Sequence, residues 1–474
     1  MKKLSKFYRE ARLDLSKRLG AERNFDVIER RLEIASREMS FFFIDGFVKD
    51  GEMQRIMQKL LSEKELGTAT EVMRKLPYIE VALSCDEDAI VSAILSGQSA
   101  ILAESFSGEA IIVDVRTYPA RGTAEPDSDR VMQGSHDGFV ETLIVNTALI
   151  RRRVRDERLT MKHFNLGGSS KTDVAVCYMM GVANEALVSA VEKKISGIRP
   201  KSLTLGFQSL AECLIRRGWW NPFPKIRTTE RPDTAAAHLL EGKILVFCDT
   251  SPQVMILPTA IFDYLEQTDD YYFPPLTGSY LRIVRTLILL LSVIVTPLWY
   301  LYLQYSDILP DALSFLIPKN PGALPIILQL FLVEIALDGL KIASMNTPDM
   351  LSNSLSIVGA LILGDFAVGV GWLSGDVILY MAFVAIASFA QQNHELGYAI
   401  KFMRMIILAS VFFFKIWGFI IGIFILILFV AFNRTPFGKQ YLYPLFPFNG
   451  QALKRLLIRE RKKDFAEEDG DSLK

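Results

Sequence analysis

Glu334, Asp338 and Lys341 stand at positions i, i+4 and i+7 of a stretch, 321–341, that is otherwise largely apolar. On a helix this spacing puts all three on one face, opposite Leu332, Ala336 and Ala343. Two carboxylates and an ammonium group so arranged make one face of the helix polar and charged. The segment fits an amphipathic surface helix, a re-entrant segment or the wall of a wet cavity. Further on, 358–372 reads almost entirely apolar yet carries Asp365. A carboxylate at the centre of a helix in hydrocarbon costs about 2.5–3.5 kcal/mol on insertion scales, so Asp365 is expected to face protein or water. Gly359, Gly364, Gly369 and Gly371 surround it, and small residues let backbones approach closely. Asp365, Glu334, Asp338, Gly359, Gly364 and Gly369 are therefore candidates for an ion path or for helix packing, with the two roles evenly weighted for Asp365.

Other chemistry finds little support. Arg151, Arg152, Arg153 and Arg155, with Arg158, end an expected helix over 135–150; they read as a solvated helix end, or else as a contact for anionic lipid or an acidic partner. Asp156 and Glu157 dilute the cluster and favour the first reading. Gly167-Gly-Ser-Ser-Lys-Thr172 has the look of a phosphate loop but lacks the Gly before the Lys and runs into a strand, so it is expected to be a connecting turn. His136, His163, His238 and His394 are far apart, and no His-Glu-x-x-His or Gly-x-Ser-x-Gly occurs. No catalytic residue, metal site or cofactor is expected. Cys85, Cys177, Cys213 and Cys248 lack Cys-x-x-Cys spacing and fit reduced thiols. The formal net charge of zero and the lack of a basic aromatic face argue against nucleic acid.

The elements that would position these residues fall into two parts. Of the 474 residues 50% are hydrophobic, and the grease lies mainly in 281–432. Before it, 40–44, 100–103, 110–115 and 174–178 read as strands, 87–95 and 184–195 as helices, and 243–248 with 254–257 as a hairpin. The turn-rich, charged stretch 118–129 is the best internal boundary. The expected fold is thus a mixed α/β cytoplasmic region of two subdomains, 1–125 and 126–278, then an all-α polytopic transmembrane domain, 279–432, and a cytoplasmic tail, 433–474. The start of the chain is broken by charge and has no signal-peptide core. The run 286–303 is long enough to span, with Arg282 and Arg285 before it and Trp299, Tyr300 and Tyr302 near its far end, as the positive-inside rule and aromatic belt require. The runs 353–372 and 377–390 are joined by a tight link. The last, 405–432, is either one long tilted helix or a broken pair, and its Gly418-Phe-Ile-Ile-Gly422 step allows close packing. The basic tail puts both termini inside, with four crossings the simplest count and six the alternative.

Gly134-Ser-His-Asp-Gly-Phe-Val-Glu-Thr-Leu143, Ala148-Leu-Ile-Arg-Arg-Arg153, Ser170-Lys-Thr172, Thr229-Glu-Arg-Pro-Asp233, Leu239-Leu-Glu-Gly-Lys243, Asp269-Asp-Tyr-Tyr272 and Ile357-Val-Gly-Ala-Leu-Ile-Leu-Gly364 resemble, in order and spacing, the GerA family of spore germinant receptor A subunits. The resemblance implies a multi-pass protein of the spore inner membrane that oligomerises with itself, contacts membrane lipids and other germination membrane proteins, and takes part in releasing monovalent cations. Family receptors usually carry Gln in place of Asp365 and a basic residue in place of His136; these departures point to an accessory paralogue that amplifies ion release. The alternatives are a nutrient-sensing A subunit of a receptor and a non-conducting scaffold that recruits partners.

Overall fold

Alternating inward side chains on short strands build the first part of the protein. The computed structural model describes residues 2–118, 133–215, 220–306, 311–345, 367–391, 393–433, 435–437 and 441–458. It divides into two units: Met1–Arg216 with Ile226–Thr259 and Thr435–Gly438, and Arg217–Lys225 with Ala260–Arg434 and Lys439–Lys474.

In the first unit the described strands form two five-stranded antiparallel sheets. One contains β1 (Val27–Ile34), β2 (Arg37–Ile44), β3 (Val81–Ser84), β4 (Ser99–Ala103) and β5 (Ala110–Val113) in the order β1-β2-β4-β5-β3. The other contains β6 (Leu159–Leu166), β7 (Thr172–Met179), β8 (Arg227–Thr229), β9 (Ile244–Cys248) and β10 (Val254–Leu257) in the order β6-β7-β9-β10-β8. The two orders are the same. So is the placement of helices: α1 (Tyr8–Leu19), α2 (Asp50–Leu61), α3 (Ala69–Lys75) and α4 (Glu87–Leu95) fall between the first five strands as α5 (Leu143–Arg153), α6 (Glu185–Ser196), α7 (Phe207–Leu214) and α8 (Pro232–Leu240) fall between the second five. The unit is a structural duplication.

Each half is a three-layer sandwich because every central strand buries both faces. Leu15 of α1 and Ile94 of α4 meet Phe42 and Leu102 on one side of the first sheet, while Ile56 of α2 and Val72 of α3 meet Phe41 and Ile101 on the other. In the second half α6 and α7 cover Val174 and Val176, and α5 and α8 cover Ala175 and Cys177. Successive residues of one strand thus serve opposite cores, as period-two pleating dictates. Local signals set the ends. The Thr68 hydroxyl and the Glu71 carboxylate cap α3 reciprocally, Asn184 caps α6, and Pro232 opens α8 at a position where a missing N–H costs nothing.

The expected strands at 40–44, 100–103, 110–115 and 174–178, the helix at 87–95, the helix near 184–195 and the 243–257 hairpin all lie on these elements, and the turn at 167–172 joins β6 to β7. The helix expected over 135–150 begins only at Leu143. Asp249 accepts the Leu143 N–H at 3.0 Å, and Asn146 exchanges two hydrogen bonds with the Val140 backbone. These bonds hold the preceding turn in a non-helical path. The halves are locked by a bidentate pair: Arg151 of α5 donates through Nε and Nη2 to Asp26, next to β1, at 2.9 and 3.0 Å, both side chains almost fully buried.

In the second unit, Pro275–Leu303 and His394–Ala431 are long and apolar enough to cross a membrane, and Gly375–Phe389 is a shorter apolar helix. Between them lies Ile326–Met345. Trp299 and Tyr300 are buried rather than belted around the rim: Trp299 stacks on Tyr380 at 4.3 Å and donates its indole N–H to the Leu316 carbonyl. The 394–431 segment is a broken pair. Lys415 sits at φ 52°, ψ −126° inside it, a left-handed conformation rare for a residue with a Cβ. A Cβ on Gly418 would collide with the Ser410 backbone, and one on Gly422 would come within 3.0 Å of the Ile407 Cα. In a continuous helix residues eight and fifteen apart are about 12 and 22 Å away. The chain therefore reverses at Lys415, and the Gly-x-x-x-Gly step is the contact face of a helical hairpin.

Two outcomes follow. Gly418→Leu, which fills the closest point of the hairpin, is expected to destabilise the full chain in mild detergent by more than the ~1–3 kcal/mol usual for overpacking; a melting temperature equal to wild type would mean that the two segments do not touch. Burial pushes the Cys248 thiol up to about 12 and the Cys177 thiol higher still, which keeps both protonated at neutral pH. Maleimide at pH 7.5 should then label the exposed Cys85 and Cys213 in the native protein, and Cys177 and Cys248 only after unfolding, as peptide mass mapping would read.

Candidate functional site

Of the charged residues of Ile326–Met345, Glu334 is buried and Asp338 and Lys341 are partly buried. Glu334 is 5% exposed, while Leu332, Ile335 and Ile342 are exposed. A solvated surface helix would not bury its carboxylate and expose these leucine and isoleucine side chains. The outward faces of the neighbouring helices are equally apolar: Leu287 and Leu290, Leu379 and Ile386, and Phe413, Trp417 and Phe424 are all exposed. Such continuous apolar surface is foreign to a monomer in water.

Inside, the two acids meet two bases at complementary spacing. Glu334 and Asp338, four residues apart, pair with Arg404 and Lys401, three apart on the first half of the 394–431 hairpin. Each acid therefore reaches its own base, and the contacts form a two-rung ladder between helices. Lys401 also donates to the Glu334 carbonyl at 3.1 Å, and Arg404 to the Ser292 carbonyl of Pro275–Leu303 at 3.2 Å. Three helices are tied at one level. Lys341 extends the cluster, with its ammonium 3.5 Å from His394 Nδ1 and 5.1 Å from the Tyr398 ring centre. A cavity of about 220 Å³ opens beside the ladder, lined by Glu334, Asp338, Lys341, Gln391, Lys401 and Arg404 among others.

Sequence reasoning placed Glu334 and Asp338 here and missed their partners. The signal was present: Lys401 and Arg404 fall just before the run 405–432, and an acid pair at i, i+4 facing a base pair at i, i+3 is a complementary pattern. Of the other candidates, Asp365, Gly359 and Gly364 lie outside the described residues, and Gly369 has open space where a Cβ would stand. The arginine cluster is dispersed. Arg151 is buried against Asp26, Arg153 binds Asp137 at 2.6 Å, and Arg152 lies over the Tyr118 ring at 4.6 Å. Arg155 is exposed and donates to the Arg152 carbonyl. Arg152 and Arg155 are exposed, while Arg151 and Arg153 are engaged with carboxylates of the fold.

A second set of buried charges anchors the start of Pro275–Leu303. Arg282 and Arg285 converge on the fully buried Asp270, Nε of the first at 3.1 Å and Nη1 and Nη2 of the second at 3.0 and 3.1 Å. These arginines, expected to flank the span on its aqueous side, are neutralised within the protein. Among the described residues no group of three or more His, Cys, Asp or Glu side chains is placed to hold a metal ion.

The sequence motifs find their physical roles in the same way. Arg231, with no exposed side-chain surface, clasps Asp233 at 2.7 Å and donates to the Ser135 carbonyl, and the φ of +87° at Gly242 closes the turn after α8 where a Cβ would press on the Val182 carbonyl.

Comparison with known proteins adds the following. The family model for Bacillus/Clostridium GerA spore germination protein matches residues 14–469. Stage V sporulation protein AF of Bacillus subtilis (strain 168) is 37% identical over 452 residues, 94% of this chain and 91% of that protein. Two further proteins of the same organism, the uncharacterized membrane protein YfkQ and spore germination protein KA, are 29% and 27% identical over 92% of this chain and 85% and 81% of theirs. Among solved structures, the N-terminal domain of the A subunit of the Bacillus megaterium spore germinant receptor GerK3 matches with a TM-score of 0.42 and 24% identity, covering 54% of this chain and 96% of that one.

The ladder predicts a coupled pair. Glu334→Leu alone strands a buried guanidinium and is expected to cost about 3–5 kcal/mol, whereas Glu334→Leu with Arg404→Met removes both charges and should recover most of it. Thermal unfolding of the full chain in mild detergent measures both; a double variant no better than the single would mean that the two residues are energetically independent.

Proposed function

Since this chain belongs to the Bacillus/Clostridium GerA family of membrane-associated spore germination proteins, we propose that it is a multi-pass, homo-oligomeric membrane subunit of the germination machinery that forms or gates a path for monovalent cations. In this reading the apolar outer faces of the second unit meet lipid of the spore inner membrane, both termini lie in the cytoplasm, and other germination proteins act beside it. The observation that carries the reading is the charge pairing on Ile326–Met345: Glu334, buried, and Asp338, partly buried, pair with bases on the 394–431 hairpin, while Leu332, Ile335 and Ile342 are exposed.

The pairs favour gating over a bare conduit. A carboxylate held by a guanidinium, as Glu334 is, or by an ammonium, as Asp338 is, offers little to a passing cation, so the two acids are latches in this arrangement. Separating the hairpin from Ile326–Met345 would expose both carboxylates to the cavity, turning it from a neutralised contact into an acidic one. Such a two-state element is what a gate requires, and an open population set by a few kcal/mol is within reach of a partner's binding energy.

The test is flux through vesicles containing the purified full-length protein. Glu334→Gln with Asp338→Asn weakens the latch and should raise the basal potassium or sodium leak about tenfold for each 1.4 kcal/mol lost from the closed state, while Phe413→Ala, on the outer face, should leave it unchanged. Vesicles that stay sealed with both proteins would overturn the conductive reading and favour a scaffold that recruits partners.

A further inference from the structure

Trp299 and Tyr300, expected to collar the end of Pro275–Leu303, are buried. An exposed aromatic collar occurs instead at the turn of the 394–431 hairpin, where Phe412, Phe413, Phe414, Ile416 and Trp417 surround an exposed Lys415. Among the described residues the Lys415 ammonium forms no ion pair; it stands 5.7 Å from the ring centre of Tyr305, just past the end of Pro275–Leu303. Its φ of 52° suits glycine better than any residue with a Cβ. A lysine is thus kept where backbone reversal alone would favour its loss. Depth follows from the contacts along the hairpin. Arg404 reaches the Ser292 carbonyl and Lys415 reaches Tyr305, so the two helices run side by side from the ladder to the turn. Lys415 lies eleven residues after Arg404 and His394 ten before it, about 16 and 15 Å along a helix. Together these match the roughly 30 Å of a hydrocarbon core.

We propose that the hairpin turn, Phe412–Trp417, is a lipid-headgroup contact, in which Lys415 donates to the phosphate of a phospholipid while the exposed rings lie at the boundary between headgroups and acyl chains. This contact rests on the reading of the second unit as membrane-crossing, and it fixes where one edge of the bilayer falls and which residues hold it. Trp417 suits that boundary, and the four-carbon stem of Lys415 lets its ammonium leave hydrocarbon. Phe412, Phe413 and Phe414 are consecutive helical positions, each turned about 100° from the last. One flat protein face would cover only part of that arc, whereas a fluid surround covers all of it. The same measure puts the Glu334–Arg404 rung near the middle of the bilayer, where an unpaired charge is costliest.

Nitroxide depth measurement tests it on the full-length protein in mixed phosphatidylcholine and phosphatidylglycerol vesicles. Cys85→Ser with Cys213→Ser removes the exposed thiols, and one label is then attached through Phe414→Cys or, as a reference beside Ser292, through Leu290→Cys. Relaxation by oxygen against a water-soluble nickel chelate is expected to put the 414 label about 15 Å from the bilayer centre and the 290 label within about 5 Å of it. Lys415→Gln should draw the 414 label inward by about 5 Å, one helical turn, and Lys415→Arg should leave it in place. If Lys415→Gln elutes as misfolded, Lys415→Gly, which the positive φ favours, replaces it. A 414 label as deep as the 290 label, or as open to nickel as one in bulk water, overturns the headgroup contact while the deep 290 label still reports a spanning unit. Both labels in water would overturn the membrane reading and the contact with it. A 414 label unmoved by loss of the lysine, or broadened by a second label until diluted with unlabelled chain, also overturns the proposal, the latter by assigning the turn to a second copy.

Discussion

A charge removed from water must take a counter-charge with it, and that constraint organises both units of this protein. Asp26 is drawn in beside Arg151, Asp270 beside Arg282 and Arg285, Glu334 beside Arg404, and Asp338 beside Lys401. Desolvating any one of these ions alone would cost several kcal/mol, which is comparable to the whole stability of a domain. A pair repays that cost only at good geometry, so each one fixes two distant segments in register. The net strength of a pair is modest against an apolar substitute, but its specificity is high: a register shift of one residue leaves a naked charge.

That logic explains why the motifs shared with the GerA family read as connectors. Arg151 joins the two halves of the duplicated α/β unit, Arg231 and Asp233 pin the start of α8 to the loop at Ser135, and Asp270 collects the arginines at the start of the first long apolar helix. Each sandwich has its own hydrophobic cores, Ala148 of α5 packs into a core of the first, and the directional Arg151–Asp26 pair fixes the register of that contact.

In the second unit the same rule works against an apolar surround. Ile326–Met345 and the hairpin reversing at Lys415 bury Glu334 against Arg404 and expose apolar side chains such as Leu332, Ile342 and Phe413. Close approach in the hairpin comes from Gly418 and Gly422, where the absence of a Cβ lets backbone lie on backbone. The ladder then fastens that hairpin to its neighbours through side chains. The bundle is thus joined by small residues on one side and by ion pairs on another.

Much was legible in the residues alone. Short apolar runs rich in β-branched and aromatic residues located β2, β4, β5, β9 and β10, alternation located β7, and the i, i+4 spacing of Glu334 and Asp338 located one side of the ladder, because these are local patterns of strand propensity, pleat and helical pitch. Composition separated the greasy 281–432 from what precedes it, and motif order pointed to the GerA family. The late start of α5 escaped, since Leu143 is capped by Asp249 from a hairpin more than a hundred residues away. So did the partners Arg404 and Lys401, the burial of Arg151 and Arg282, and the shared topology of the two sheets, while the broken pair in 405–432 was one of two readings the residues left open. Each of these depends on which segments meet in space, and a periodicity confined to one segment carries no information about the charge or backbone that will stand opposite it.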